Sequence, residues 1–211
     1  MGKIGIMGGT FDPIHNGHLL IGRQALLEYD LDAVWYMPSG KPPHKKDHKV
    51  STVKDRCAMV KLAILDEAHF IFSDFEASRH GNTYTAQTLA LLRKDYPEHE
   101  FYFIIGADSL YEIETWYHPE EVLSQAALLV AGRDYEATHL PIDQQIQYLM
   151  KKYHTTIFLL HCDEFDISSE ELRGMIKRGK SIIKYIPQPV AAYIEDHHLY
   201  QEEIEDGSSD S

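Results

Sequence analysis

The sequence is short of cysteine: its 211 residues include only two, Cys57 and Cys162. Two cysteines cannot build a disulfide framework, and neither belongs to a CxxC pair of the kind that binds zinc or exchanges disulfides. Structural disulfides are typical of secreted proteins, whereas thiols stay reduced in the cytosol. We therefore expect a cytoplasmic protein in a reducing compartment.

Long hydrophobic runs are also missing. No apolar stretch approaches the roughly 18 residues that would indicate a membrane span, although hydrophobic residues make up 44% of the chain. The N-terminal residues Met1–Ile6 enter a strand-like run and lack the apolar region and cleavage site of a signal peptide. We expect a globular protein with no membrane partner, and the length suits one α/β domain with a sizeable core.

Positive charge is scarce, since 20 basic residues face 33 acidic ones and give a net charge of −13. This balance excludes the overall basic footprint of a nucleic-acid-binding protein. The basic residues are nevertheless concentrated between positions 41 and 54, at Lys41, Lys45, Lys46, Lys49 and Lys54, with His44 and His48 among them. Such a segment suits small anions, and a solvated loop explains the same charges.

Apolar runs of strand length alternate with amphipathic stretches of helix length. Strands are predicted at Lys3–Met7, Ala33–Met37, His69–Phe72, Phe101–Ile105, Ala126–Ala131 and Thr156–Leu160. Helices are predicted at 16–28, 51–65, 83–94, 142–152, 168–178 and 189–197. This alternation predicts an α/β fold: a Rossmann-like, doubly wound parallel sheet with helices on both faces, in a single domain over residues 1–200. Residues 201–211 are predicted to form an acidic, disordered tail.

The segment between the first predicted strand and helix, Gly8–His18, reads GGTFDPIHNGH. Glycines let a backbone approach a ligand closely, and a helix start offers N–H groups and a positive dipole end to phosphate. His15 and His18 are three residues apart and can share one face of the first helical turn. The segment therefore suits phosphate binding, although it is neither a Walker loop nor a GxGxxG fingerprint.

The residues of this segment alone leave three simpler explanations open. The glycines can serve tight strand–helix packing, and the two histidines can form a metal pair or lie on the helix surface. No cysteine or acidic cluster in the sequence completes a metal-ligand set with them.

The complete segment Gly8–His18 resembles the signature of the nucleotidyltransferases that carry a (T/H)xGH motif, and in particular that of the nicotinate-nucleotide adenylyltransferases. Four further stretches resemble the same family in the same order: Pro38–Lys45 (PSGKPPHK), Tyr84–Leu89 (YTAQTL), Gly106–Ser109 (GADS) followed by Trp116, and Ile167–Arg173 (ISSEELR). The matches run from residue 3 to about residue 200, and five in order are far more specific than any one of them.

The last of these stretches departs from the family pattern. Glu170 stands where the family usually has Thr, and Leu172 where it has Ile. Ser168 and Glu171 have the spacing of a capping box, so a plain helix start explains part of the match. The departure puts one hydroxyl contact to the nucleotide in doubt and leaves the charge of Arg173 in place.

The resemblance implies adenylyl transfer from ATP to nicotinate mononucleotide, which gives nicotinate adenine dinucleotide and pyrophosphate in NAD biosynthesis. The attacking group is then already a phosphate anion, so the protein must align two anions and neutralise charge. The residues at the family's catalytic positions are His15, His18, Lys45 and Arg173. Those at its ATP- and phosphate-binding positions are Gly8, Gly9, Thr10, Phe11, Ser168 and Ser169. Mg²⁺ is expected to arrive with ATP, held largely by phosphate oxygens and water. The resemblance therefore implies no dedicated protein metal site.

The resemblance also implies a pyridine site for nicotinate mononucleotide. Its residues would be His44, Thr85, Asp108, Trp116 and Tyr117. Trp116 would stack on the ring, backbone N–H groups at Thr85 and Tyr117 would hold the carboxylate, and Asp108 would accept ribose hydroxyls. From the residues alone, a core position for Trp116 and an N-cap role for Asp108 remain open.

Other functions stand beside this interpretation. Phosphopantetheine adenylyltransferases share the HxGH design but are usually shorter and lack the PPHK and GADS…W combination. A relative that prefers nicotinamide mononucleotide is the more serious alternative. A non-catalytic nucleotide sensor is disfavoured by the intact His15, His18, Lys45 and Arg173. We expect no nucleic-acid partner, and the sequence leaves a homo-oligomer open.

Overall fold

The computed structural model describes residues 1–40, 50–132, 140–162 and 167–201 of the chain. Within these ranges the strands are β1 Lys3–Gly9, β2 Ala33–Pro38, β3 Phe70–Phe72, β4 Glu100–Gly106, β5 Ala127–Ala131 and β6 Ile157–Leu160. The α-helices are α1 Asn16–Tyr29, α2 Val53–Ala63, α3 Thr85–Asp95, α4 Ala107–Glu112, α5 Pro119–Gln125, α6 Ile142–Tyr153, α7 Ser169–Lys177 and α8 Gln188–Asp196. A 3₁₀ turn at Ile113–Thr115 follows α4.

All six strands run parallel in one sheet, in the order β3-β2-β1-β4-β5-β6. This order is typical of Rossmann folds, and it changes direction between β1 and β4. The two strands pair directly, with Ile6 opposite Phe103. Ligands of such sheets bind at the carboxyl ends of the strands beside the change of direction. The loops after β1 and β4 are therefore the first place to look for a site.

Two clusters of buried hydrophobic residues cover the two faces of the sheet. Successive side chains of a strand alternate between faces, so Phe103 and Ile105 of β4 belong to one cluster and Ile104 to the other. Helices α1, α2, α7 and α8 pack on one face, and α3 to α6 pack on the other. The predicted doubly wound sheet is confirmed.

The structure contains every strand and helix that the sequence predicted, with ends shifted by a few residues. Two helices, α4 and α5, were not predicted. They have six and seven residues, too few for a helical hydrophobic repeat to stand out from the neighbouring loops. Helix α4 follows directly after β4, at the edge of the sheet where ligands of such folds bind.

Among the helices of the described ranges, none has both the length and the apolar character that crossing a bilayer requires. The predicted acidic tail lies outside the described residues from position 202 onward. The last residues before it belong to the folded body, because Tyr200 packs against one hydrophobic cluster.

Candidate active site

The chain turns sharply between β1 and α1. Phe11 adopts a left-handed backbone conformation with φ of 51°, which is uncommon for a residue with a bulky side chain. Its ring is buried and would contact a Cβ placed on Gly9 at 3.2 Å. Glycine at position 9 therefore lets the end of β1 lie directly against this ring, and the turn delivers the following residues to the carboxyl end of the sheet.

His18 is held from three sides. The backbone N–H of His15 donates to its Nδ1 at 3.2 Å, the Tyr36 hydroxyl donates to its carbonyl at 3.0 Å, and the Phe11 ring meets its imidazole edge-on at 5.1 Å between centroids. A Cβ on Gly22 would clash with the Tyr36 hydroxyl, so this glycine lets α1 approach β2. Because Nδ1 of His18 accepts a hydrogen bond, the neutral ring carries its proton on Nε2.

Some backbone N–H groups in the first turn of α1 already donate hydrogen bonds within the protein. The N–H of Asn16 donates to the Tyr185 carbonyl at 2.8 Å, and the N–H of His18 donates to the His15 carbonyl at 2.9 Å. The imidazoles of His15 and His18 lie 3.8 Å apart between centroids. Two backbone N–H groups of this turn therefore already have protein partners, and the two imidazoles lie side by side.

Helix α7 begins against the same segment. Ser168 and Glu171 form the predicted capping box, with the Ser168 N–H donating to Glu171 Oε2 at 2.7 Å and the Glu171 N–H donating to Ser168 Oγ at 3.2 Å. Ser169 Oγ donates to the Pro13 carbonyl at 2.9 Å. Arg173 Nη1 donates to the Asp12 carbonyl at 2.8 Å. The side chains of both serines thus make protein contacts, and Arg173 is fixed beside the turn after β1.

A buried arginine, Arg56 of α2, ties three parts of the site together. It is 1% exposed and donates to four backbone carbonyls: Thr10 at 2.8 Å, Ser39 at 2.7 Å, Gly40 at 3.1 Å and Ser51 at 3.2 Å. Burial lowers the pKa of Arg56, and the negative charge of Asp12 opposes that change. The guanidinium joins the turn after β1 to the chain on both sides of residues 41–49.

The Asp12 carboxylate lies at the centre of the same buried network. Its Oδ2 accepts from the Ser51 N–H at 3.3 Å, and its Oδ1 accepts from the Tyr200 hydroxyl at 2.7 Å. Burial, together with the Asp12 charge, holds the pKa of Tyr200 well above its usual range, so the phenol remains a donor. The end of the folded chain is therefore bonded to the turn that carries the histidines.

A cavity of about 360 Å³ opens at the carboxyl ends of β1 and β4. Its wall combines the predicted phosphate segment with the predicted pyridine site. The residues from both groups that line it are Gly8, Gly9, Thr10, Thr85, Trp116 and Tyr117. Among the described residues, the lining includes Glu76 and Glu112 and no lysine or arginine. The donors that this described lining offers to an anion are its N–H and O–H groups.

Aromatic rings form one side of the cavity. Trp116 is half-buried and meets the Phe103 ring edge-on at 6.2 Å between centroids. Tyr117 is 46% exposed, and its ring contacts that of Tyr84 in a tilted arrangement, with 4.4 Å between the ring centroids. Trp116 therefore packs against the hydrophobic cluster on this face of the sheet and also lines the cavity, where its indole offers an apolar surface to a flat ring.

Helix α3 points its N-terminus at the same cavity. Tyr84 is its N-cap residue and Thr85 its first residue, and both line the wall. The first N–H groups of a helix lack partners within the helix and carry partial positive charge. The N–H of Thr85 belongs to this group, so the helix end offers a charge-complementary place for a carboxylate.

Glu76 is a half-buried residue of the cavity wall, in the loop between β3 and α3. The Thr88 hydroxyl donates to Glu76 Oε1 at 2.7 Å, and Arg79 Nη1 donates to the same Thr88 oxygen at 3.2 Å. Burial raises the pKa of Glu76, while Thr88, Thr83 and Arg79 oppose that change by favouring the ionised form. The hydroxyl of Thr83 lies close enough to contribute, although it completes no hydrogen bond of good geometry.

Two predicted site residues, His44 and Lys45, lie outside the described residues. A third, Asp108, does not join these groups. Asp108 is exposed in the first turn of α4, where Gly106 is the N-cap residue. Asp108 is therefore not the N-cap that the sequence left open, and its carboxylate faces solvent beside the end of β4.

Several residues of the site were missed by sequence reasoning. Tyr84, Thr88 and Asp12 are not among the predicted site residues, whereas all three take part in the cavity wall or the buried network beneath it. Arg56 left a detectable signal, because it falls on the buried side of α2 with Met59, Val60 and Ala63. Glu76 left none, since its importance depends on contacts with a different element.

Residues 6–175 match the cytidylyltransferase-like family. The chain is 44% identical over 200 residues to a probable nicotinate-nucleotide adenylyltransferase of Lachnoclostridium phytofermentans, covering 95% of this chain and all of the relative. It is 40% identical to one of Clostridium botulinum (strain Alaska E43), covering 96% of this chain and all of that relative.

The fold also matches solved structures. Nicotinic acid mononucleotide adenylyltransferase of Plasmodium falciparum complexed with NaAD superposes with a TM-score of 0.78 at 22% identity, over 95% of this chain and 98% of that one. The same enzyme complexed with APC gives a TM-score of 0.76 over the same shares of both chains. With its switch-point cavity, its paired histidines and full-length relatives at this level of identity, the chain belongs to the nicotinate-nucleotide adenylyltransferases of the cytidylyltransferase-like family.

Proposed function

We propose that this chain transfers the adenylyl group of ATP to nicotinate mononucleotide in the synthesis of NAD. An oxygen of the mononucleotide phosphate attacks the α-phosphorus of ATP, and the bond from that phosphorus to the bridging oxygen of pyrophosphate breaks. The products are nicotinate adenine dinucleotide and pyrophosphate. The attacking oxygen is already anionic, so positioning and charge stabilisation supply the catalysis.

The observation that carries this proposal is the continuity of the cavity. The same cavity is lined by Gly8, Gly9 and Thr10 after β1 and by Trp116 and Tyr117 after α4. A phosphate held at the first group and a pyridine ring held at the second would belong to one bound mononucleotide. The volume of about 360 Å³ lies within the range of small-ligand sites.

The histidine turn supplies donors for the reacting phosphates. His18 carries its ring proton on Nε2, because Nδ1 accepts from the His15 N–H, and Nε2–H can donate to an oxygen of the α-phosphate. Arg173, held on the Asp12 carbonyl, would bind the β- and γ-phosphates with its planar fork. Lys45, which matches the family's lysine position, would add a further positive charge to the leaving pyrophosphate.

The N-terminus of α3 supports a preference for the acid over the amide. Its first N–H groups, including that of Thr85, are donors, and a carboxylate only accepts hydrogen bonds. Hydrogen bonds to an ionised group are roughly twice as strong as neutral ones. A carboxamide would have to turn its NH₂ group toward one of these donors and leave a polar group unpaired.

Mg²⁺ is proposed to enter as part of the substrate, bound to the phosphates of ATP. In the described ranges, no group of three or more His, Cys, Asp or Glu side chains is arranged to hold a metal ion. Mg²⁺ binds through one or two carboxylates, phosphate oxygens and water rather than through an all-protein cage. The ion supplies charge neutralisation on the phosphates when bound.

An amide-preferring enzyme is the second candidate, and Glu76 is the observation that favours it. An ionised carboxylate in the cavity wall would accept a hydrogen bond from a carboxamide and repel a carboxylate. The two candidates are separated by pyrophosphate release from ATP, measured with nicotinate mononucleotide, nicotinamide mononucleotide and phosphopantetheine offered separately. The proposal requires the first to be the best substrate, and release that is equal or higher with another acceptor contradicts it.

A further inference from the structure

Glu76 has no part in the phosphate chemistry, yet it lines the same cavity as Tyr84 and Thr85 at the N-terminus of α3. Thr88, the fourth residue of that helix, holds Glu76 Oε1 at 2.7 Å. A nicotinate carboxylate bound at the first N–H groups of α3 would therefore enter the same wall as an existing carboxylate. Two carboxylates that share a site cannot both ionise without a large cost.

We propose that Glu76 takes up a proton from solvent when a nicotinate-bearing nucleotide binds, so that binding of the acid ligand depends on pH. The inference rests on the proposed function and adds a titrating group to the pyridine site. The proposal requires Glu76 to be ionised in the free protein. In the complex it is a neutral acid, the ligand remains a carboxylate, and one proton has moved from solvent to the protein.

The hydrogen bonds around Glu76 fix where that proton sits. Arg79 Nη1 donates to Thr88 Oγ1 at 3.2 Å, so the hydroxyl proton of Thr88 points to Glu76 Oε1. Oε1 is therefore an acceptor, and a proton on Glu76 occupies Oε2. The nicotinate carboxyl is the stronger acid, because the ring nitrogen of the mononucleotide carries a positive charge, and it stays ionised while Glu76 becomes neutral.

The groups around Glu76 act in opposite directions on its protonation. Arg79 on the same loop favours the ionised form, whereas burial raises the pKa of Glu76 and is the larger effect. From the other elements, Arg56 of α2 lies behind Gly40, and Glu112 with the phenols of Tyr84 and Tyr117 lines the cavity. Lys41, the residue after Gly40, lies outside the described residues. A second negative charge in the wall acts in the same direction as burial.

The proposal predicts how binding of the acid ligand depends on pH. Between the pKa of Glu76 in the free protein and its higher pKa in the complex, binding takes up about one proton, so the dissociation constant rises about tenfold for each pH unit. Below this window Glu76 is already neutral, and above it neither state is protonated, so the slope disappears at both ends. An amide ligand carries no negative charge on its ring substituent and should show no such slope from Glu76.

The test is calorimetric titration of the full chain with nicotinate adenine dinucleotide in two buffers of different ionisation enthalpy, at several values between about pH 5.5 and 8.5. The dinucleotide is preferred to the mononucleotide, because a phosphate monoester titrates near pH 6 by itself. NAD is the matched ligand, since it differs only in carrying the amide. Proton uptake approaching one is expected for the acid dinucleotide in excess of that for NAD.

Two variants sharpen the test. Glu76→Gln keeps an acceptor for Thr88 and cannot ionise, so its excess proton uptake should vanish and it should bind the acid dinucleotide more tightly than the wild type at high pH. Glu112→Gln removes an exposed carboxylate of the same wall and should retain the wild-type uptake. If Glu76→Gln does not fold, the wild-type comparison of acid and amide ligands still decides.

Each result separates the inference from the function beneath it. Equal proton uptake for acid and amide ligands, or unchanged uptake in Glu76→Gln, overturns the role of Glu76 even if the enzyme prefers nicotinate mononucleotide. Absence of both acid-dinucleotide binding and pyrophosphate release with nicotinate mononucleotide overturns the proposed function and the inference with it. Excess uptake that disappears in Glu76→Gln alone supports both.

Discussion

Replacing Arg56 by lysine should lower both the stability of the protein and its affinity for ATP. In the native structure three nitrogens of one guanidinium donate to four carbonyls, at 2.7 to 3.2 Å. A lysine ammonium concentrates its donors on one atom and lacks the planar fork. We expect it to satisfy about two of the four carbonyls, which leaves the ends of two chain segments without their partner.

The size of the effect follows from those two lost bonds. A hydrogen bond from a charged donor contributes about 1.5–3 kcal/mol, so Arg56→Lys should lower the free energy of unfolding by about 3–6 kcal/mol. A domain of this kind has about 5–15 kcal/mol in total, so the variant should fold with a clearly reduced urea midpoint. Because Thr10 loses its anchor, KM for ATP should rise about tenfold, equivalent to about 1.4 kcal/mol.

Urea unfolding of the wild type and the variant measures the first quantity, and an unchanged m value would show that the unfolded surface is the same. Arg93→Lys is the matched control, because Arg93 is exposed and donates to one carbonyl, Gln125, at 3.2 Å. Its effect should stay within about 0.5 kcal/mol. If Arg56→Lys behaves like this control, Arg56 does not anchor the site and the reasoning is refuted.

Three further predictions concern the site itself. His18→Ala should reduce turnover about 10²–10³-fold with the fold intact by circular dichroism, since a preorganised donor to the transition state is lost; near-native turnover would contradict its assignment. Tyr200→Phe should lower the free energy of unfolding by about 1–3 kcal/mol, because the 2.7 Å hydrogen bond to buried Asp12 is lost. An unchanged free energy of unfolding would show that this hydrogen bond does not stabilise the fold. Trp116→Ala should weaken both mononucleotides by similar factors, and a changed ratio of their kcat/KM values would show that Trp116 discriminates between them.

The fold could be predicted because its determinants are local. Each central strand is a short apolar run bounded by turn residues, and each long helix has apolar positions at helical spacing. The alternation of the two then constrains the topology. Helices α4 and α5 escaped prediction because six or seven residues carry too little periodicity.

The candidate site also has a part that local sequence predicts and a part that it does not. Gly8–His18 and Trp116 are visible in the sequence as motifs of neighbouring residues. The groups that hold those motifs in place are distant in sequence: Tyr200 bonds to a residue 188 positions earlier, and Arg56 bonds to Thr10 across 46 positions. Only the folded chain brings such partners together, so a single sequence gives no local sign of the pairing.

The most direct test of acid recognition is a competition in one vessel. The enzyme, ATP and equal concentrations of nicotinate and nicotinamide mononucleotide are mixed, and the two dinucleotides are separated by anion exchange early in the reaction. Their ratio equals the ratio of the two kcat/KM values. Two polar mismatches of about 1–3 kcal/mol each predict an excess of the acid product of about 10²-fold or more. Equal amounts of the two products, or an excess of the amide product, would contradict the account.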